Sequence, residues 1–155
     1  MFTILAVAYL VASVRAPALT ARLGRRLPAI GALVLAVGHG LLAASVADVG
    51  TTGSVGLLAP ALLLVGAGMG LVITPLTATV LASLEPERAG AASGALSTMQ
   101  QVGNAIGVAV TGVVFFGALG HGFAHAFELS LVQLAALCVV VAALTRLLPR
   151  PAAAS

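Results

Sequence analysis

Long apolar stretches separated by short polar or glycine-rich breaks make up nearly the whole chain, at about residues 1–18, 28–46, 56–84, 91–119 and 129–148. About 20 apolar residues are needed to carry a helix across the roughly 30 Å hydrocarbon core of a bilayer. Four of the stretches approach or exceed that length; Met1–Val14 is short by itself, with Arg15 near its end. The breaks fall at Thr20–Arg26, Ala47–Val55, Glu85–Arg88 and Gly120–Phe127, and Pro149-Arg150-Pro151 closes the last stretch. Pro28 suits the first turn of a helix, where its missing N–H costs nothing. Barrel strands would alternate every second residue over about ten residues, and these runs are too long and too continuous for that. The pattern predicts an all-α integral membrane protein with a single transmembrane helical region over residues 1–155.

The fourth stretch is the least uniform. On a 3.6-residue helix Ser93, Ser97, Gln100, Asn104 and Thr111 fall on one narrow face, with Gln101 at its edge. Gly103 and Gly107, four apart, lie beside that stripe, and the remaining faces are Ala, Val, Ile and Phe. Such a helix is expected to turn its polar stripe toward protein or a cavity and its notch toward a close-packed partner. Gly66 and Gly70 form a second small-xxx-small notch in the third stretch. Further along that stretch Pro75 lacks the amide that would bond the Leu71 carbonyl, so a kink is expected there, with Thr74 and Thr77 placed to satisfy the freed groups.

Composition narrows the class further. The chain is 61% hydrophobic and 7% charged, whereas a soluble domain carries about a quarter charged residues. Too few charges, one Tyr and no Trp argue against a nucleic-acid partner despite the net charge of +3. All seven basic residues are arginine, and with five crossings all of them fall on one side of the membrane. The excess of positive charge makes that side cytoplasmic, with Met1 outside and the C-terminus inside. An N-out first span without a leader is the arrangement expected when further helices precede it. The lone Cys138 permits no internal disulfide. His39 stands near the middle of the second stretch, where the simplest role is a neutral hydrogen bond to a neighbouring helix. His121 and His125 are four apart in an outer loop near Glu128; a metal site would want a third ligand in good geometry, and a solvated loop is the simpler reading. No carboxylate lies deep in a stretch, and no nucleophile–base pair, phosphate loop or metal cluster is present. Neither an enzyme, a metal site nor a cofactor is expected.

Three segments carry a resemblance. Leu63-Leu64-Val65-Gly66-Ala67-Gly68-Met69-Gly70-Leu71-Val72-Ile73-Thr74-Pro75-Leu76-Thr77 is similar to the Gly-rich, Pro-terminated helix of major facilitator superfamily transporters, in particular the fourteen-helix drug:proton antiporter branch (EmrB/QacA-type). Glu85-Pro86-Glu87-Arg88-Ala89-Gly90-Ala91-Ala92-Ser93-Gly94-Ala95 resembles the loop and helix start that follow, and Gln100-Gln101-Val102-Gly103-Asn104-Ala105-Ile106-Gly107-Val108-Ala109 the helix after it. Arg22, Gly24, Arg25 and Arg26 match the superfamily's cytoplasmic Gly-x-x-x-Asp-Arg-x-Gly-Arg-Arg signature, while Pro17 replaces its first Gly and Ala21 its Asp. The lost acid removes any conformational lock built on its charge pairing.

The resemblance implies a C-terminal part of such a transporter, its five helices equivalent to the last five of the fold. The first, third and fourth would line the central cavity, and the second and fifth would be peripheral. It implies a plasma-membrane drug or small-molecule efflux carrier, proton-coupled in its full-length form, whose partners are the bilayer, the substrate, protons, and missing N-terminal helices or a complementary chain. Gln100, Gln101, Asn104, Thr74 and Thr77 become the substrate-pathway candidates. Pro75, Gly66, Gly70, Gly103 and Gly107 are the gating or packing candidates, and any proton carrier lies elsewhere unless His39 serves. Alternating access needs two helical halves about a midplane site, so five spans are not expected to transport alone. The competing reading is a non-transporting helical membrane scaffold or subunit, in which the stripe is interhelical glue worth about 0.6–2 kcal/mol per polar contact.

Overall fold

A computed structural model describes residues 2–24, 26–49, 55–82 and 89–147. Within them the chain forms helices α1 (Phe2–Leu23), α2 (Arg26–Val49), α3 (Val55–Ala82), α4 (Ala89–Ala118) and α5 (Phe123–Leu147), with a single 3₁₀ turn at Leu119–His121 between the last two. All five α-helices are long and apolar enough to cross a membrane. Arg25, Glu85, Glu87, Arg88 and Arg150 lie outside the described residues.

Two helix ends differ from the sequence pattern. The first helix does not stop near residue 18 but runs through Pro17 to Leu23. Pro17, which has no N–H, leaves only the Ser13 carbonyl without its helical donor, and the helix recovers at once: the Thr20 hydroxyl donates to the Ala16 carbonyl at 2.8 Å, and the Gly24 amide to the Thr20 carbonyl at 2.8 Å. Most of the expected loop at Thr20–Arg26 is therefore helix. The break comes at Gly24, whose φ of +53° is a left-handed conformation that glycine adopts without steric cost. The fifth helix likewise begins at Phe123 rather than Leu129, so His125 is helical and the outer connection shrinks to a tight turn. Gly122, with φ +110° and ψ 151°, separates the 3₁₀ turn from α5.

The glycines fix the packing directions. Gly66 meets Leu5 and Ala8, and Gly70 meets Tyr9, Ala12 and Ser13, so α1 and α3 rise together and run parallel. Gly31 lies against Leu71 and Val72 while Gly38 lies against Val65 and Ala61, so α2 runs antiparallel to α3. The main contacts then join the helices in the order α1, α3, α2, α5, α4, with α3 touching α4 only marginally. The second helix packs along both α3 and α5. The two helices at the ends of the row, α1 and α4, are the least covered.

Small residues fill the interfaces. Ala8, Ala12 and Ala16 form the buried stripe of α1, and Ala29, Ala32, Ala43, Ala61, Ala126 and Ala142 serve the same purpose elsewhere. Leu27, 1% exposed, is the one large side chain fully buried among the described residues. Large apolar side chains such as Val14, Val37, Val113 and Leu144 point outward instead. This is the reverse of a soluble core and is expected where the surroundings are as apolar as the side chains, so that close backbone packing holds the helices together.

Candidate functional site

The structure leaves one helix largely without a protein neighbour. From residue 97 to residue 110 every position of α4 is exposed, on all faces; cover from α5 begins near its C-terminal end, where Ala118 is buried. Gln100, Gln101 and Asn104 lie in this bare stretch. Around them Met99 (73%), Val108 (74%) and Val113 (75%) are equally open. The apolar positions suit lipid. The two amides of Gln100 and Gln101 and that of Asn104 do not, because hydrocarbon offers no hydrogen-bond partner. The Thr98 hydroxyl shows the local remedy for a single donor: it bonds back to the Gly94 carbonyl at 3.0 Å. A carboxamide has two donors and an acceptor, so the row needs an outside partner or water.

The two glycine notches have different surroundings. A side chain at Gly66 or Gly70 would collide with α1: the Leu5 carbonyl stands in the way at Gly66, and at Gly70 the Tyr9 carbonyl would be 2.8 Å and the Ala12 methyl 2.9 Å from a new Cβ. Gly103 and Gly107 face open space, with nothing within 4 Å of a Cβ built there. The same spacing thus brings two backbones together in one place and leaves an empty groove beside the polar row in the other.

On α3, Pro75 is buried and Thr74 and Thr77 are half-buried. The threonine hydrogen bond recorded beside the proline belongs to a residue the sequence pattern did not single out, Thr79, whose hydroxyl donates to the Pro75 carbonyl at 2.7 Å. Since α3 and α4 scarcely meet, Thr74 and Thr77 are not brought against Gln100, Gln101 and Asn104 within this chain. Arg22 and Gly24 are exposed at the α1–α2 turn, and Arg26 opens α2.

The histidines are placed differently from expectation. His39 is half-buried, and its Nδ1 donates to the Leu35 carbonyl one turn back on its own helix at 2.8 Å, not to a neighbouring helix. Next to it, Gly38 lets α3 come close, with the Val65 Cγ2 2.8 Å from where a Cβ would be. His121 and His125 are exposed, their rings 5.9 Å apart edge to face. Beside them Phe115, Phe116, Phe123 and Phe127 pack into an aromatic cluster that ties α4 to α5, with Phe115 meeting Phe123 edge-on at 5.5 Å. Among the described residues no three His, Cys, Asp or Glu side chains gather to hold a metal ion.

Comparison with known proteins gives the chain relatives. No protein-family model and no solved structure matches it. It is 37% identical to a probable actinorhodin transporter of Streptomyces coelicolor over 102 residues, which is 66% of this chain and 18% of the relative. It is 40% identical to the cephamycin export protein CmcT of Amycolatopsis lactamdurans over 98 residues, 61% of this chain and 20% of the relative. It is 43% identical to the puromycin resistance protein pur8 of Streptomyces alboniger over 61 residues, 39% of this chain and 12% of the relative. The alignments thus span about a fifth or less of each relative's length, and these relatives are transporters rather than enzymes. Together with the five apolar helices, they make this chain a homologue, over part of their length, of the drug-efflux transporters of the major facilitator superfamily.

Proposed function

We propose that the chain supplies the last five membrane helices of a major facilitator exporter of small organic molecules, working by alternating access and coupled to protons. In this reading α1, α3 and α4 border the translocation pathway. Gln100, Gln101 and Asn104 form a polar wall of that pathway, Thr74 and Thr77 add hydroxyls from α3, and Pro75 sets a bend in the helix beside them. Gly66 and Gly70 hold α1 on α3, whereas Gly103 and Gly107 receive a helix from outside the described residues. The arginine-bearing side, with Arg22, Arg25 and Arg26 in the degenerate signature, faces the cytoplasm of a plasma-membrane protein.

One observation carries the proposal: among the described residues, a membrane-length helix presents three carboxamides and an empty glycine groove to no neighbour. A lipid-facing helix would not keep such groups, and a packed one would have filled the groove. The relatives support the cargo class, since one is named a probable actinorhodin transporter and another a cephamycin export protein. The experiment is Asn104→Ala and Gln101→Ala in the complete transporter, with dye efflux measured in inverted membrane vesicles driven by a pH gradient. Efflux per transporter should fall several-fold at unchanged membrane abundance. Wild-type efflux in both variants would reduce these residues to packing groups.

A further inference from the structure

The connection between α4 and α5 is a fixed turn rather than the solvated loop suggested by the sequence pattern, and it carries two histidines. His121 is the last residue of the 3₁₀ turn that follows α4, and His125 lies in the first turn of α5. Backbone hydrogen bonds hold both positions. The Gly122 amide donates to the Leu119 carbonyl at 3.0 Å, and the Ala126 amide to the Gly122 carbonyl at 3.0 Å. Between the histidines, Gly122 at φ +110° sets the direction in which α5 leaves the turn. Ala126 is fully buried, and Phe115 of α4 meets Phe123 of α5 edge-on at 5.5 Å. The backbone that carries the two imidazoles is therefore anchored from both helices.

The rings stand at a spacing that one ion can bridge. Both histidines are exposed, and their ring centres are 5.9 Å apart with the planes at 61°. An ion bound to two imidazole nitrogens at about 2.0–2.1 Å lies about 3.2 Å from each ring centre, which puts the centres about 5.2 Å apart at the tetrahedral angle and about 6.4 Å apart when the two bonds are opposed. The observed spacing lies inside that window, so side-chain rotation alone can aim both nitrogens at a shared ion. Imidazole suits zinc, copper and nickel, whereas magnesium and calcium take oxygen ligands. A structural or catalytic zinc site wants at least a third protein ligand, and among the described residues no third His, Cys, Asp or Glu joins the pair. Solvent water at this exposed turn is left to fill the other positions.

We propose that His121 and His125 form a two-point binding site for a divalent late transition ion of the zinc type, with water completing its coordination. One ligand precedes Gly122 and the other follows it, so a bound ion spans the joint between the end of α4 and the start of α5 and stiffens it. The site is separate from the polar row of α4 and does not depend on the reading of that row as a pathway wall.

The test uses the untagged 155-residue chain in dodecyl maltoside micelles, in a Cys138→Ala background that removes its one thiol. Zn²⁺ is the probe, and a chromophoric chelator reports the free ion. One Zn²⁺ per chain should bind saturably, and a large excess of Mg²⁺ should not displace it. Affinity should fall at least tenfold in His121→Ala and in His125→Ala, and Glu128→Gln should bind as the parent chain does. Both histidines are exposed, so neither replacement removes a packing contact from the core. Zn²⁺ should also slow amide exchange at Phe123 to Ala126 in the parent and leave it unchanged in His121→Ala. No saturable binding by the parent, displacement by Mg²⁺, undiminished affinity in either histidine variant, or an equal loss in Glu128→Gln would each overturn the site. Saturable binding that leaves amide exchange in the parent untouched would overturn its role across the joint.

Discussion

Replacing Gly66 or Gly70 by valine should separate α1 from α3, and the geometry sets the size of the effect. At Gly66 the new Cβ would overlap the Leu5 carbonyl and press on the Ala8 methyl at 3.0 Å; at Gly70 it would lie 2.9 Å from the Ala12 methyl and 3.0 Å from the Ser13 amide. The obstructing atoms are backbone or Cβ atoms, which no rotamer change can move, so α1 itself must shift. Overpacking of this kind costs about 1–3 kcal/mol, roughly a 5- to 150-fold change in an equilibrium constant. Each substitution also loosens contact at the neighbouring glycine, so the double variant should lie near the upper figure or beyond. The measurement is energy transfer between dyes on Phe2→Cys and Leu63→Cys in a Cys138→Ala background. Both sites are exposed, and the parallel register of α1 and α3 sets them at similar levels. Titration with SDS from mild micelles should lower the midpoint of dye separation in Gly66→Val and Gly70→Val. Gly103→Val and Gly107→Val are the controls, because nothing stands within 4 Å of either Cβ. An unchanged midpoint in the α3 variants, or an equal loss in the α4 variants, would refute the argument.

Gly122→Ala should destabilise the α4–α5 turn by about 1–3 kcal/mol, because φ +110° with ψ 151° is a conformation that essentially only glycine holds; amide exchange at Phe123 to Ala126 should speed up while exchange in α3 does not. Leu27→Ala removes the only fully buried large side chain among the described residues and should cost about 2 kcal/mol or more through the cavity it leaves, read as a lower midpoint in SDS titration. The same change at Val37, which is 56% exposed, should leave that midpoint within error.

The number and nature of the helices were legible because hydrophobic length is a one-dimensional property. Helix ends were less so, since they depend on single backbone geometries. Thr20–Arg26 reads as a loop by polarity, yet Thr20 turns its hydroxyl inward to the Ala16 carbonyl and keeps the helix going to Gly24. His39 reads as a cross-helix hydrogen bonder, yet the nearest acceptor is a carbonyl one turn back on its own helix.

The candidate site shows a sharper limit of pattern reading. Gly66/Gly70 and Gly103/Gly107 have identical spacing in helices of similar length, and both qualify as notches for close packing. One pair sits under α1, with the Leu5 and Tyr9 carbonyls against the glycines; among the described residues the other has nothing within 4 Å of a built Cβ. Spacing therefore encodes the capacity for close approach, while the partner is set by what flanks the notch. Beside Gly66 and Gly70 the flanking positions are Val65, Ala67 and Met69, apolar groups that any helix can cover. Beside Gly103 and Gly107 stand Gln100, Gln101 and Asn104, and an all-apolar helix seated there would strand their hydrogen-bonding groups at a cost of about 1–3 kcal/mol for each buried one left unpaired. Whatever occupies the α4 groove must bring polar atoms or water with it. Of the arrangements open to a membrane helix, one lining a hydrated path meets that requirement for the whole row, whereas a simple helix–helix seam meets it only if its partner carries a matching polar row.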